Sequence, residues 1–350
     1  MKKGFILIIG LLLLNVAKAH DFVVTINKHK VYFAIVDDEY NKAIVTYKGS
    51  IAEYQSSDYA GELTIPSKVR HNNKVYDIVG IGAKAFSGAT KLKSVILPNS
   101  INEIGAFAFE GCSSLEKVVF PVKYPKFGEG TFFMCSKIKE VLLGGEWTSV
   151  NFVLFQWSDN LKTINIPAKV STIRSLNKLI HLESINVDAH NEKYASVDGV
   201  LYDKKITTLY KCPRAYDVKL TVPEGVLKIF EGALIDCPML ENIDLPQSLK
   251  HVSFREFSRM ANLKEVLFRA EKPIKTAKLA TNQEYFLLQV ANPKVKVLVS
   301  KASLKEHKKS LANLEGEYYE IGKDMPYEVK IDNMLKAKNI IGTKLDVESK

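Results

Sequence analysis

Apolar and polar positions in this chain recur on a fixed step. IGAKAFSGATKLKSVILP, beginning at Ile81, is followed by IGAFAFEGCSSLEKVVFP, beginning at Ile104. Gly82 and Gly105, Phe86 and Phe109, Leu92 and Leu115, and Pro98 and Pro121 each stand 23 residues apart. The step continues to Gly128, Phe132, Cys135, Ile138 and Val141, then to Phe155, Leu161 and Ile164. A period of this length identifies a solenoid, one supersecondary unit per repeat, because a single unit cannot bury its apolar face alone. In each unit the phrase L-x-x-V-x-L-P predicts a strand. Leu92, Val95 and Leu97 face inward, as do Leu115, Val118 and Phe120, and the proline ends the pairing. The I-G-x-x-A-F phrase makes the return side, where glycine is expected to permit the bend and phenylalanine to fill the interior.

The flanking segments break this rhythm. Residues 20–60 lack the repeat, and Lys30–Val36 and Lys42–Lys48 read as a β-hairpin about the turn Asp37–Asn41. That segment is assigned the task of capping the first coil, whose apolar face and strand edge would otherwise be bare. The array begins at Glu62–Ile65 and takes a short hairpin detour turning at Asn72-Asn73. It becomes irregular near Val150–Val187, where Gly144 replaces the strand-ending proline. Residues 188–217 read as a protruding hairpin insertion with Asp198-Gly199 as its turn. The strands resume at Leu220–Pro223 and end at Lys294–Val299, giving about ten coils over 61–300. Ser303–Leu314, with Ser303 at the N-cap and Glu306 three residues on, predicts a short capping helix, and 301–350 is taken as C-terminal cap and tail. The expected fold is therefore mainly β (α+β), with a parallel strand per repeat, an N-terminal β cap and a short C-terminal helical cap.

Composition changes the picture at the start of the chain. Lys2 and Lys3 precede the apolar run Phe5–Leu14, and Ala17-Lys18-Ala19 gives a small-x-small cleavage pattern. Residues 1–19 read as a secretory signal peptide cut before His20, and no later stretch is long and apolar enough to span a bilayer. Without the three signal lysines the formal charge falls from +10 to +7. No zinc-finger, helix-turn-helix or basic-aromatic motif accompanies that charge, so nucleic acid is not expected as a partner. Cys112, Cys135 and Cys237 share one column of the repeat, where buried free thiols filling a small slot are favoured over a bridge between coils. Cys212 falls outside that column.

The phrase I-G-x-x-A-F-x-G-C-x-x-L-x-x-V-x-L-P at Ile104–Pro121 resembles the BspA-like branch of leucine-rich-repeat proteins. The NEKYASVDGVLY insertion, the opening His20-Asp21-Phe22 and the YAGELTIPS passage at Tyr59–Ser67 are similar to segments recurring in that family. The resemblance implies an exported bacterial binding protein, at the cell surface or in the periplasm, with some members acting as adhesins for host extracellular proteins.

Chemistry is sparse. The chain has no G-x-S-x-G elbow, H-E-x-x-H pair, P-loop or dinucleotide fingerprint, so no enzyme activity, cofactor or metal site is expected. Asp37, Asp38 and Glu39 match no calcium loop, and Asp188, His190 and Glu192 open an insertion where polar residues are ordinary. What remains is the outward face of the strand ladder. Ile96, Val119 and Leu142 stack there beside Lys117 and Glu140, and these five residues are the candidate contact surface for a protein partner. A glycan-binding or envelope-scaffold role is the alternative. Trp147 and Trp157 are the tryptophans it would use, although both are expected to pack the irregular coils.

Overall fold

In the computed structural model, residues 20–49, 59–252, 254–257, 259–270, 296–300 and 340–343 are described. The signal segment and the Ser303–Leu314 helix lie outside the described residues. Each repeat contributes one strand to a wall that runs from coil to coil. Ala60–Thr64, Lys91–Ile96, Lys117–Val119 and Glu140–Leu142 form a parallel ladder of four strands. Pairing is in the register the repeat requires, with Leu63, Val95, Val118 and Val141 side by side and buried. The return side makes a second wall, in which Lys74–Ile81, Glu103–Ile104 and Lys126–Phe127 pair in parallel. The chain is a β-solenoid. Among the described residues its only helical turns are the 3-10 segments Phe152–Phe155, Leu176–Lys178 and Phe254–Phe257.

Between the walls the phenylalanines of successive coils lie ring on ring. Phe86, Phe109, Phe132 and Phe155 have centroids 5.0, 5.2 and 5.5 Å apart, with interplanar angles of 11°, 9° and 27°. All four are essentially inaccessible to solvent, and Tyr59 closes the start of the stack at 4.9 Å from Phe86. Beside them runs a column of small residues, Ala89, Cys112, Cys135 and Ser158, all buried. The Cys112 thiol donates to the Phe86 carbonyl at 3.2 Å and the Cys135 thiol to the Phe109 carbonyl at 3.0 Å. All four cysteines are free and buried. Hydrogen bonding to Cys135 and burial push the Cys112 thiol well above its ordinary range, which leaves it protonated and unreactive at neutral pH. Cys212 lies outside this column, as its spacing indicates. Its N–H bonds to the Ala233 carbonyl as that of Phe86 bonds to Ala108, so Cys212 stands in the phenylalanine column.

The glycine of I-G-x-x-A-F serves a purpose other than the expected bend. Neither Gly82 nor Gly128 has a left-handed backbone. A Cβ on Gly128 would sit 2.2 Å from the Ala106 nitrogen, and one on Gly82 would sit 3.1 Å from the Val45 carbonyl. These glycines let one coil lie close upon the next. The left-handed turn comes six residues later, at Gly88 (φ 73°) and Gly111 (φ 66°), and Met134, Asp236 and Arg259 adopt it at the equivalent place.

The chain divides into two units, Met1–His181 with Val187–Glu192 and Leu182–Asn186 with Lys193–Lys350. In the first, Phe22–Ile26, His29–Asp37 and Lys42–Thr46 form an antiparallel meander, and Lys42–Thr46 joins the return wall by pairing in parallel with Lys74–Ile81. The detour turning at Asn72-Asn73 is a hairpin, with both asparagines at positive φ. The irregular coil keeps its interior through Trp147, Val150, Phe152 and Phe155, and the Trp147 indole N–H donates to the Pro121 carbonyl at 3.1 Å.

In the second unit Lys219–Thr221, Asn242–Leu245, Glu265–Phe268, Lys296–Ser300 and Ile340–Thr343 make a parallel ladder. Its last strand lies within the stretch read from sequence as tail. The insertion does not protrude. Tyr194–Val197 and Val200–Asp203 form the expected hairpin, but Thr208–Lys211 pairs antiparallel with it and parallel with Lys228–Ile229, which draws it into the return wall. The reason is apolar area, since Val200, Leu201, Tyr202 and Leu209 are all buried and could not stand in water. Glu256 is also buried there, accepting the N–H groups of Gly232 at 2.7 Å and Leu234 at 2.9 Å.

Phe109→Ala removes a ring from the middle of the stack and should cost about 3–5 kcal/mol, read by equilibrium urea unfolding; a loss below about 1 kcal/mol would show that the stack contributes little. Burial raises the Glu256 carboxyl above its ordinary value despite its two N–H partners. The native state then holds the proton more tightly than the unfolded chain. This group's contribution is complete below the ordinary carboxyl pKa and is lost as pH rises through the raised one. Glu256→Gln cannot titrate and offers one acceptor oxygen. It should flatten that part of the pH dependence of thermal unfolding and cost about 1–3 kcal/mol for the orphaned N–H.

Candidate functional site

Alternation along each strand decides which side chains reach solvent. With Val95, Val118 and Val141 committed to the interior, the next residue on each strand must point outward. Ile96, Val119 and Leu142 are register partners in the ladder, preceded by Thr64. Ile96 is 40% and Leu142 38% exposed, with Val119 half-buried between them. The structure therefore brings the three together as one apolar row across adjacent coils.

Charged residues run alongside in the same register. The Lys117 ammonium lies 2.8 Å from the Glu140 carboxylate, one coil on, and Lys139 lies 2.5 Å from Glu116. Lys139 holds the Glu116 carboxyl below its usual range, and Lys93 and Lys137 add to that. All five candidate residues thus share one patch, an apolar row bordered by cross-coil ion pairs. In the second unit the corresponding position, Asp244, is occupied by Arg269, which donates from Nε and Nη2 at 2.7 Å each.

The other polar candidates take structural places. Asp38 accepts from Lys74 Nζ and the Tyr76 hydroxyl at 2.8 Å each, and Asp37 accepts the Tyr40 N–H within the turn. Asp188 accepts the His190 N–H at 2.8 Å. The neighbouring Asn191, fully buried, donates to the Pro167 and Val170 carbonyls at 2.9 Å each. Among the described residues no group of three or more His, Cys, Asp or Glu could hold a metal ion, and no helix is long and apolar enough to cross a membrane. The tryptophans separate, Trp147 in the core and Trp157 46% exposed with the Phe133 ring against it at 5.2 Å. Sequence reasoning passed over Tyr210 and Phe230. The signal that could have found them is an aromatic residue where the first unit has the glycine of I-G.

Residues 61–179 and 208–281 match the family model described as BspA type Leucine rich repeat region, in six copies. No curated protein sequence matches the chain. It is similar to a leucine rich cell surface protein from Faecalibacterium prausnitzii, at 18% identity over 80% of this chain and 89% of that one, with a TM-score of 0.38. It is also similar to the pneumococcal vaccine antigen PcpA, at 19% identity over 94% of this chain and 100% of that one, with a TM-score of 0.43. A leucine-rich repeat protein from Bacteroides ovatus matches at 19% identity over 81% of each chain, with a TM-score of 0.42.

Lys117 and Glu140 are each partly open to water, so their pairing should set the character of the patch more than its stability. A double-mutant cycle with Lys117→Met and Glu140→Gln, read by urea unfolding, should give a coupling below about 1 kcal/mol. A larger value would mean that the pair clips the coils together.

Proposed function

Because the chain belongs to the BspA-type leucine-rich-repeat family, we propose that it is an exported, non-enzymatic binding protein. It holds a protein partner on the outward face of the first unit's strand ladder. The observation that carries this reading is the row Ile96–Val119–Leu142, exposed on a rigid sheet and bordered by Lys117 and Glu140. A row of that kind supplies an apolar centre with a charged margin, the pattern of a protein contact. The backbone there is committed to ladder hydrogen bonds, so the face is preorganised and little ordering entropy opposes association. The partner class is a host extracellular protein, met by a protein displayed at the cell surface. A periplasmic or outer-membrane glycan-binding or scaffold module is the second reading, supported by the exposed Trp157.

The triple variant Ile96→Ser, Val119→Ser, Leu142→Ser should keep the fold, because the row faces solvent. It should weaken binding to an extracellular protein partner by at least about tenfold in surface plasmon resonance. Unchanged binding would remove this face from consideration. Loss of binding on Trp157→Ala alone would favour the second reading.

A further inference from the structure

On the return wall of the first unit, the position after Ile81, Ile104 and Phe127 is a glycine, and a side chain at Gly128 would strike the preceding coil. The second unit keeps the backbone bond of that position and changes the residue. The Phe230 N–H donates to the Leu209 carbonyl at 2.9 Å, as the Gly105 N–H donates to Ile81, and Leu209 and Ile229 are register partners. Tyr210 and Phe230 therefore stand where glycine stood, and their rings turn outward. Phe230 is 46% exposed and its ring centroid lies 5.4 Å from Tyr210, which lies 5.8 Å from Tyr194 on the insertion hairpin. The altered repeat thus brings the half-buried Tyr210 ring and the exposed Phe230 ring side by side on one sheet, and Tyr194 of the insertion hairpin, itself buried, packs edge-on behind Tyr210.

Lysines stand beside these rings. Lys193 Nζ is 5.5 Å from the Tyr194 ring centroid and Lys228 Nζ 5.8 Å from that of Phe230, and Leu227 beside them is 37% exposed. The strands and turns from Lys193 to Lys211, with residues 228–231, carry five lysines against two aspartates and Glu231. One of those aspartates, Asp203, is occupied by the N–H groups of Thr207 and Thr208 and the Thr207 hydroxyl at 2.7 Å each. We propose that the Tyr210–Phe230 pair of the second unit is a binding site for an acidic polysaccharide, a glycan whose sugar units carry carboxylates. Pyranose rings present C–H faces that lie against aromatic rings, and Phe230, tilted at 57° to Tyr210, offers the more open of the two ring faces. The flanking lysines meet the carboxylates. The site is independent of the ladder face of the first unit, so either can fail without the other.

The test uses the full chain and affinity electrophoresis through gels containing polygalacturonate, unsubstituted dextran or no polymer, with an oligothymidylate competitor. Retardation by polygalacturonate and not by dextran is expected. Phe230→Ser should weaken it by about tenfold, the scale of one lost ring contact. Lys228→Gln should weaken it less and reduce its salt dependence. Phe230 and Lys228 are exposed, and thermal unfolding checks that both variants remain folded. No retardation by polygalacturonate, full retardation of a folded Phe230→Ser protein, or displacement by oligothymidylate at equal charge concentration would each overturn the proposal, the last by showing general attraction of polyanions.

Discussion

The distance between neighbouring coils is set twice, and the two settings have to agree. Parallel strands in a ladder lie about 4.8 Å apart because their N–H and carbonyl groups must meet. The stacked rings of Phe86, Phe109, Phe132 and Phe155 settle at 5.0 to 5.5 Å because that is the contact distance of aromatic faces. Backbone and interior thus ask for nearly the same step, and a residue sits beside its counterpart in the next coil without strain. The requirement for glycine at 128 follows, since coils this close leave no room for a Cβ between their backbones, and a Cβ at 82 would press on the Val45 carbonyl. The small column of Ala89, Cys112, Cys135 and Ser158 fills the narrow space beside the rings, and its thiols satisfy carbonyls of the preceding coil.

Much of this was legible in the chain because the repeat is strict where the interior is strict. The step of 23 gave strand positions, the inward valines and leucines, and the outward row at Ile96, Val119 and Leu142, since alternation leaves a strand residue only two directions. The Asn72-Asn73 turn was legible because asparagine tolerates the positive φ such a hairpin needs. The role of Gly82 was not, because a sequence shows that a side chain is missing but not whether a dihedral or a neighbouring backbone demands it. The insertion was misjudged for a related reason. Val200, Leu201 and Tyr202 lose their water together, and only the neighbouring strands Thr208–Lys211 and Lys228–Ile229 explain where that apolar area goes.

The two units use the same wall differently at their surfaces. In the first, the outward row is apolar and its flanks are ion pairs that join one coil to the next. In the second, Asp244 is held by Arg269 in that row, while the aromatic exposure has moved to the return wall at Tyr210 and Phe230. Interior positions stay apolar in both units, even where Cys212 stands in the phenylalanine column, and outward ones change freely, as expected where only the interior determines whether coils stack.

Contacts that reach only from one coil to the next also govern the response to pulling. Ion pairs such as Glu146–Lys169 and Glu241–Lys264 join residues 23 apart in sequence, as do the ladder bonds between Lys117–Val119 and Glu140–Leu142. Tension applied along the chain loads the outermost coil alone, and its release passes the load to the next. Such a unit would lengthen under force in steps of equal contour length, each the extended length of a single repeat. A protein tethered under flow would therefore yield gradually, as a series of small extensions, where a fold knit by long-range contacts would give way at once.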